Sequence, residues 1–411
     1  MVVAERINNY RYIKKNTIAT MVLFFIYPIA AIPFIVQGML NNKRWAFVLW
    51  AFFMGLLGLL YPPTGDLYRY TTDFLSVKGV SWAEFKIFLT LKQDWLLPYI
   101  SYIIGKLGLN FDLSRFIYNF VSYLLLGLLY TDITDSNPHY SRKNAVLFLG
   151  TFIIFSIGAY TIRFSASTAL FAYGAYNVVY KSKKSGWIFV ILAFVNHLTF
   201  IVFAIALLFH KSRSLAFSKK LVIFLIIFSF TVDSSFLIKL FSFLPLDIID
   251  HYSIYLDGYW AKEYLNDHSF LYRLQMTLTS LVSYAAAIIY ILTYDKHNKG
   301  IRVVNSVLLL TTLVTPFATI ATRFVGVLFI FIKIHFLSIY KNTKSYKKYL
   351  MALFLLTMFS NAMGLWASRR QLVVSDIKII AYSSVPQILT HTYSEKWINS
   401  NVYDNGDFKH D

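Results

Sequence analysis

Long apolar runs separated by short charged connections recur along the whole chain. Runs approaching span length lie near Thr17 to Val36, Trp45 to Tyr61, Leu113 to Thr131, Ala145 to Ile162, Phe164 to Tyr180 and Trp187 to Phe209. Five more lie near Leu221 to Phe236, Leu271 to Tyr294, Val303 to Ile320, Phe324 to Tyr340 and Tyr349 to Trp366. About 20 apolar residues cross a hydrocarbon core of roughly 30 Å as a helix. Each run is predicted helical, because lipid offers no partner to an exposed backbone group. Trp95 to Leu107 is too short for a comfortable crossing and reads as an interfacial or re-entrant helix. The pattern predicts an all-α polytopic membrane protein of about 11 to 12 transmembrane helices, with one or more re-entrant or interfacial helices.

Composition agrees. With 57% hydrophobic and 14% charged residues, a water-soluble globule would lack polar surface to cover itself. There is no cysteine, which removes disulfides, thiolate metal sites and a thiol nucleophile. The net charge of +19 is spread over short loops between apolar runs, which fits topology signals facing anionic lipid and argues against nucleic acid. The first span carries Pro28 and Pro33 and no cleavage pattern, so it is expected to be retained.

Arg142 and Lys143, Lys181 to Lys184, Lys296 to Arg302, and Lys341 to Lys348 are predicted cytoplasmic, with pairs of spans between successive clusters. The outward connections are then residues 62–112, tight turns at Arg163 and Arg323, and residues 233–270. Two segments conflict with this alternation. Trp187 to Phe209 lies between two basic loops, as does the first span, so either the rule is violated or each segment is broken, at Asn196-His197 and at Pro28 to Pro33. Half-segments of about 12 residues rise only about 18 Å, so such hairpins would be re-entrant or thin the bilayer. A break at His197 is the favoured reading. Residues 1–366 read as one transmembrane domain and residues 367–411 as a polar C-terminal tail without a usable motif.

Chemistry concentrates at the predicted outer mouth. After the second span, Pro62, Pro63 and Gly65 force a turn and bring out Asp66, Tyr68, Arg69, Tyr70 and Asp73. Tyr68 and Tyr70 are candidate sugar-binding rings or members of an interfacial belt. Asp66 with Arg69 is a candidate catalytic group or a local ion pair. Arg163 and Arg323 interrupt otherwise apolar stretches at a cost of about 2.5 to 3.5 kcal/mol at a span centre. Their local strings match: Thr161-Ile162-Arg163-Phe164 and Ala321-Thr322-Arg323-Phe324. Guanidinium forks beside helix N-termini suit a diphosphate; the alternative is snorkelling, or pairing with a loop carboxylate. The small residues from Ser165 to Ala175 are expected to serve close helix packing. His197 is a titratable group within an apolar segment, catalytic or simply hydrogen-bonded. In residues 233–270, Asp247, Asp250, Tyr252, Tyr255 and Trp260 form a candidate sugar-binding surface, or the aromatics are an ordinary interfacial belt. No metal motif, Walker motif or dinucleotide motif is present, so no metal or cofactor is expected.

In order, Gly65-Asp66-Leu67-Tyr68-Arg69-Tyr70, then Ile162 to Leu170, then Asn196-His197-Leu198-Thr199, the chain resembles the EpsG-like group of Wzy-type O-antigen (polysaccharide) polymerases, from roughly Trp45 to Tyr340. Many members carry an arginine shortly before the aspartate motif and a glutamine after the later arginine. Here Pro62-Pro63 and Phe164 stand instead, and Arg69 is the candidate replacement charge. The resemblance implies a GT-C-like helical bundle in the bacterial cytoplasmic (inner) membrane. It implies a glycosyltransferase that joins undecaprenyl-diphosphate-linked oligosaccharide repeat units outside that membrane. Arg163, Arg323 and Arg69 would hold the diphosphate, and Asp66 or His197 would accept a hydroxyl proton. Chain-length regulator and flippase proteins are the implied partners. A transporter or flippase of lipid-linked saccharides, or an O-antigen ligase, is the alternative.

Overall fold

The computed structural model describes residues 17–92, 94–153, 161–229, 231, 270–404 and 406–409. Among them the backbone is helical, with one isolated bridge between Val402 and Phe408. The first segment forms α1 (Thr17–Ile26) and α2 (Pro28–Leu40), broken at Tyr27. Pro28 is the first residue of α2, where its missing N–H costs no helical bond. α3 (Arg44–Leu60) and α7 (Asp112–Ser136) pack along much of their lengths. Between them in sequence come three short helices, α4 (Asp66–Val77), α5 (Trp82–Thr90) and α6 (Leu96–Lys106).

α8 (Ala145–Phe152) precedes α9 (Ile162–Val179), α10 (Gly186–Asn196), α11 (Phe200–Leu208) and α12 (Lys219–Ser229). The later helices are α13 (Phe270–Leu292), α14 (Ile301–Val314), α15 (Ala318–Ile339) and α16 (Lys344–Ala367). α7, α16 and the Thr319–Ile339 part of α15 are long and apolar enough to cross a membrane alone. α1, α2, α3, α10, α14 and the Met276–Leu292 part of α13 are shorter apolar helices.

The basic connections gather at one end of the bundle. Asp132 takes Lys181 at 2.7 Å and Arg44 at 3.8 Å, while Arg302 donates to the Lys211 carbonyl at 2.9 Å. Asn137 ties α7 to the Leu337 and Tyr340 carbonyls at the end of α15. The opposite end, the mouth, carries the α3–α4 turn, the start of α7 and the start of α9.

The two conflicting segments are both broken. α9 and α10 run antiparallel, since Ser167 meets the Ala193 carbonyl and Asn196 meets the Arg163 carbonyl, at 2.8 Å each. α11 then returns: Phe200 packs on Phe164 and Phe171, Phe203 on Phe171 and Phe324, and the following His210 and Lys211 carbonyls lie at Arg302. The segment is therefore a hairpin entering from the basic end with His197 at its tip. Its arms of 11 and 9 residues rise about 16 and 14 Å. In the first segment the break falls at Tyr27, just before Pro28, and Pro33 lies inside α2.

The α9–α10 approach rests on two glycines. A Cβ on Gly174 would stand 2.7 Å from the Gly186 carbonyl oxygen, and one on Gly186 would stand 2.6 Å from that of Gly174. The small residues after Arg163 thus serve close packing, as expected.

Two expectations are corrected. Ala145 to Ile162 is not one helix, because α8 stops at Phe152 with Ile153 extended. Side chains of α16 receive its end: Thr357 donates to the Thr151 carbonyl and Asn361 to that of Ile153, both at 3.1 Å, in place of the next helical turn. The second correction concerns Arg323, which is not in a tight turn. The turn lies at Thr315 to Phe317, and Arg323 is the sixth residue of α15. Pro316 decides this, because proline cannot continue a helix from the preceding turn. The helix N-terminal argument therefore holds for Arg163, the second residue of α9, and fails for Arg323.

Candidate functional site at the mouth

The first layer is the end of α3. Its last carbonyls need donors, since helix ends leave four such groups unpaired. Arg115, fully buried on α7, donates to the Leu59 carbonyl at 2.9 Å and to that of Tyr61, and pairs with Asp112. Tyr393 of the C-terminal tail donates to the Leu60 carbonyl at 2.6 Å. The tail thus packs on the mouth, where the Gly406 carbonyl also accepts from Gly65 N–H at 2.7 Å. Gly65, at φ 56° and ψ −125°, occupies a backbone region open to glycine and caps α4. This turn sets Asp66 as the first residue of α4, paired with Arg69 three residues on. Arg69 is 59% exposed and Asp66 24%, so water screens the pair.

The second layer centres on Arg163. Its Nε donates to the Tyr70 hydroxyl at 2.9 Å, its guanidinium lies 4.5 Å from the Tyr70 ring centre, and its Nη1 pairs with Asp94 Oδ2 at 2.8 Å. Arg163 is therefore paired with a loop carboxylate, one of the three readings open from sequence. Tyr70 faces inward, and burial followed by the Asp66 charge pushes its hydroxyl well above the ordinary tyrosine range. Its ring face is covered by the guanidinium rather than open to a sugar. Tyr68 is half-buried.

The third layer is the hairpin tip. Asn196 is fully buried and fully used: Tyr118 donates to its Oδ1 at 2.7 Å, and its Nδ2 donates to the Arg163 carbonyl at 2.8 Å and Ser167 Oγ at 2.9 Å. His197 lies edge-on to Phe164 and Phe200, and its Nδ1 is buried with no hydrogen-bond partner among the described residues. Phe164, the residue after Arg163, separates His197 from Arg323. Arg323 lies 5.9 Å from the Phe164 ring and makes no ion pair among the described residues.

Asp66, Tyr70, Arg163, His197 and Arg323 thus converge from α4, α9, the hairpin and α15. Asp247, Asp250, Tyr252, Tyr255 and Trp260 lie outside the described residues. A family model described as the EpsG family matches residues 43–384. The chain belongs to the EpsG family. No curated protein and no solved structure matches it. The EpsG match spans every converging residue of the mouth, and membership supports a membrane-embedded, glycosyltransferase-type polysaccharide polymerase.

Sequence reasoning missed Asp94, Asn196 as a tie, Tyr118 and Arg115. Asp94 borders the short apolar run Trp95 to Leu107, the one local signal for it. Nothing in the sequence tells which of Asp73, Glu84, Asp94 or Asp112 meets Arg163. A lysine was missed as well: Lys333 is buried in α15 with its ammonium 4.4 Å from the Phe329 ring centre and no hydrogen-bond partner among the described residues.

Proposed function

We propose that this protein polymerises undecaprenyl-diphosphate-linked oligosaccharide repeat units at the outer face of the bacterial cytoplasmic membrane. The observation that carries the reading is the convergence of Arg163 and Arg323 on the tip of a hairpin that enters from the opposite, basic end: Asn196 at the tip meets the Arg163 carbonyl, and Arg323 lies over Phe164, the ring edge-on to His197. Two guanidinium groups at one mouth suit a diphosphate whose bond to the sugar is breaking. An acceptor hydroxyl of an incoming repeat unit attacks the anomeric carbon of the growing chain. A new C–O bond forms there, the bond to the diphosphate oxygen breaks, and its electron pair leaves on undecaprenyl diphosphate.

The hydroxyl proton goes to a carboxylate or imidazole within hydrogen-bond reach. Asp66 suits this better than His197, because Asp66 is partly open at the mouth while His197 is enclosed by Phe164 and Phe200. His197 then shapes the floor of the site between the two arginines. Arg69, paired with Asp66, adds positive charge at the rim. The leaving group is already a good one, so no protein acid is needed. Membrane lipid delivers both substrates, and flippase and chain-length regulator proteins are the partners that would supply repeat units and set product length.

The test is reconstitution of the full chain with purified lipid-linked repeat units. A ladder of longer lipid-linked products with released undecaprenyl diphosphate is expected. Arg163→Lys and Arg323→Lys keep the charge and lose the fork, and each should lower turnover about 100-fold. Movement of substrate across the bilayer without any ladder would replace this reading with a transporter. Full turnover in both variants would remove the two arginines from the diphosphate site.

A further inference from the structure

Asp94 occupies a junction that the proposed chemistry does not yet use. It lies between α5 and α6 and is only 8% exposed. Its Oδ2 takes Arg163 Nη1 at 2.8 Å and its Oδ1 takes the Leu198 N–H at 2.7 Å, so one carboxylate joins the first turn of α9 to the hairpin tip. The segment that carries it is itself anchored, since Lys92 pairs with Asp73 of α4 at 2.8 Å. Tyr70 takes the Nε edge of the same guanidinium. With Nε and Nη1 held, Nη2 is the one nitrogen of Arg163 with no protein acceptor among the described residues.

We propose that Asp94 is a positioning residue that fixes the Arg163 guanidinium so that its free Nη2 edge meets the departing diphosphate. The inference rests on the polymerase reading. Two effects of the carboxylate oppose each other. Its negative charge competes with a bound diphosphate for Arg163, which weakens ground-state binding. Its two hydrogen bonds hold the fork where charge develops, and only interactions that strengthen in the transition state raise turnover. The consequence is a split that a merely structural residue would not produce.

Asp94→Asn keeps an oxygen for Leu198 and turns an amide N–H toward Arg163, so the tip stays clamped while the guanidinium is released. In the reconstituted ladder assay, kcat should fall about 100-fold, the magnitude of a misplaced charge-stabilising group, with KM unchanged or lowered. In an Arg163→Lys background the same substitution should change kcat less than threefold, because the group it positions is gone. Unchanged kcat, a raised KM, or a full 100-fold loss added to that of Arg163→Lys would each overturn the inference and leave the polymerase reading standing. A wild-type protein that makes no ladder removes the polymerase reading and this inference with it. If Asp94→Asn does not accumulate folded, Asp94→Glu serves instead. It keeps the charge and shifts the clamp by one methylene, and wild-type kcat in that variant would overturn the inference.

Discussion

Asn196→Leu tests how the mouth is held together. The replacement matches the amide in branching and removes three hydrogen bonds of 2.7, 2.8 and 2.9 Å. Their losses are unequal. The Arg163 carbonyl sits in the first turn of α9 and keeps its helical partner, and Ser167 Oγ still donates to the Ala193 carbonyl. Those two bonds are worth about 0.5 to 1 kcal/mol each. The Tyr118 hydroxyl is different, because it is buried and loses its acceptor, at about 1 to 3 kcal/mol. Burial of the new methyl groups returns roughly 1 kcal/mol. The net cost is about 1 to 4 kcal/mol.

Adding Tyr118→Phe removes the stranded hydroxyl, since replacing both partners by apolar groups is nearly neutral. The double variant should therefore recover about 1 to 2 kcal/mol relative to the sum of the single costs. The assay is denaturant titration in mixed micelles followed by tryptophan fluorescence, with ladder formation measured in parallel. A cost below about 0.5 kcal/mol for Asn196→Leu, or strict additivity with Tyr118→Phe, would show that the hairpin tip does not depend on this amide.

Arg115→Met leaves two carbonyls and a carboxylate without their donor and should cost about 3 to 5 kcal/mol, reduced somewhat because Asp112 is partly hydrated. Arg69→Met breaks an exposed pair and should change stability by at most about 1 kcal/mol, so equal melting of the two variants would contradict the burial argument. Gly186→Ala sets a methyl group against the Gly174 carbonyl and should separate α9 from α10, moving Asn196 and Arg163 apart. Its expected destabilisation is about 1 to 3 kcal/mol with loss of ladder formation, and wild-type turnover would show that the contact is not needed.

Much of this was legible from the chain. Apolar runs in a lipid setting leave the backbone no choice but helix, and basic loops separated by pairs of spans fix which ends meet. The charge conflict around Trp187 to Phe209 pointed to a break at His197, because no single crossing can put both ends on one side. Arg163 was visible as a charge that an apolar segment does not tolerate without compensation. Arg323 was visible for the same reason. The matching strings around the two arginines do not encode a turn at Arg323; Pro316, seven residues upstream, sets it.

What sequence alone determined here is therefore local and one-dimensional: helical spans, their common ends, a glycine-dependent turn before Asp66, and charges in apolar settings that require partners. Only the tertiary structure decided which partners. Asp94 reaches Arg163 across 69 positions, Tyr118 reaches Asn196 across 78 and Tyr393 reaches Leu60 across 333. Those choices follow from how broken and unbroken helices pack. A side-chain hydrogen bond forms only where packing brings donor and acceptor within about 3 Å, and no period or composition of the chain encodes that distance.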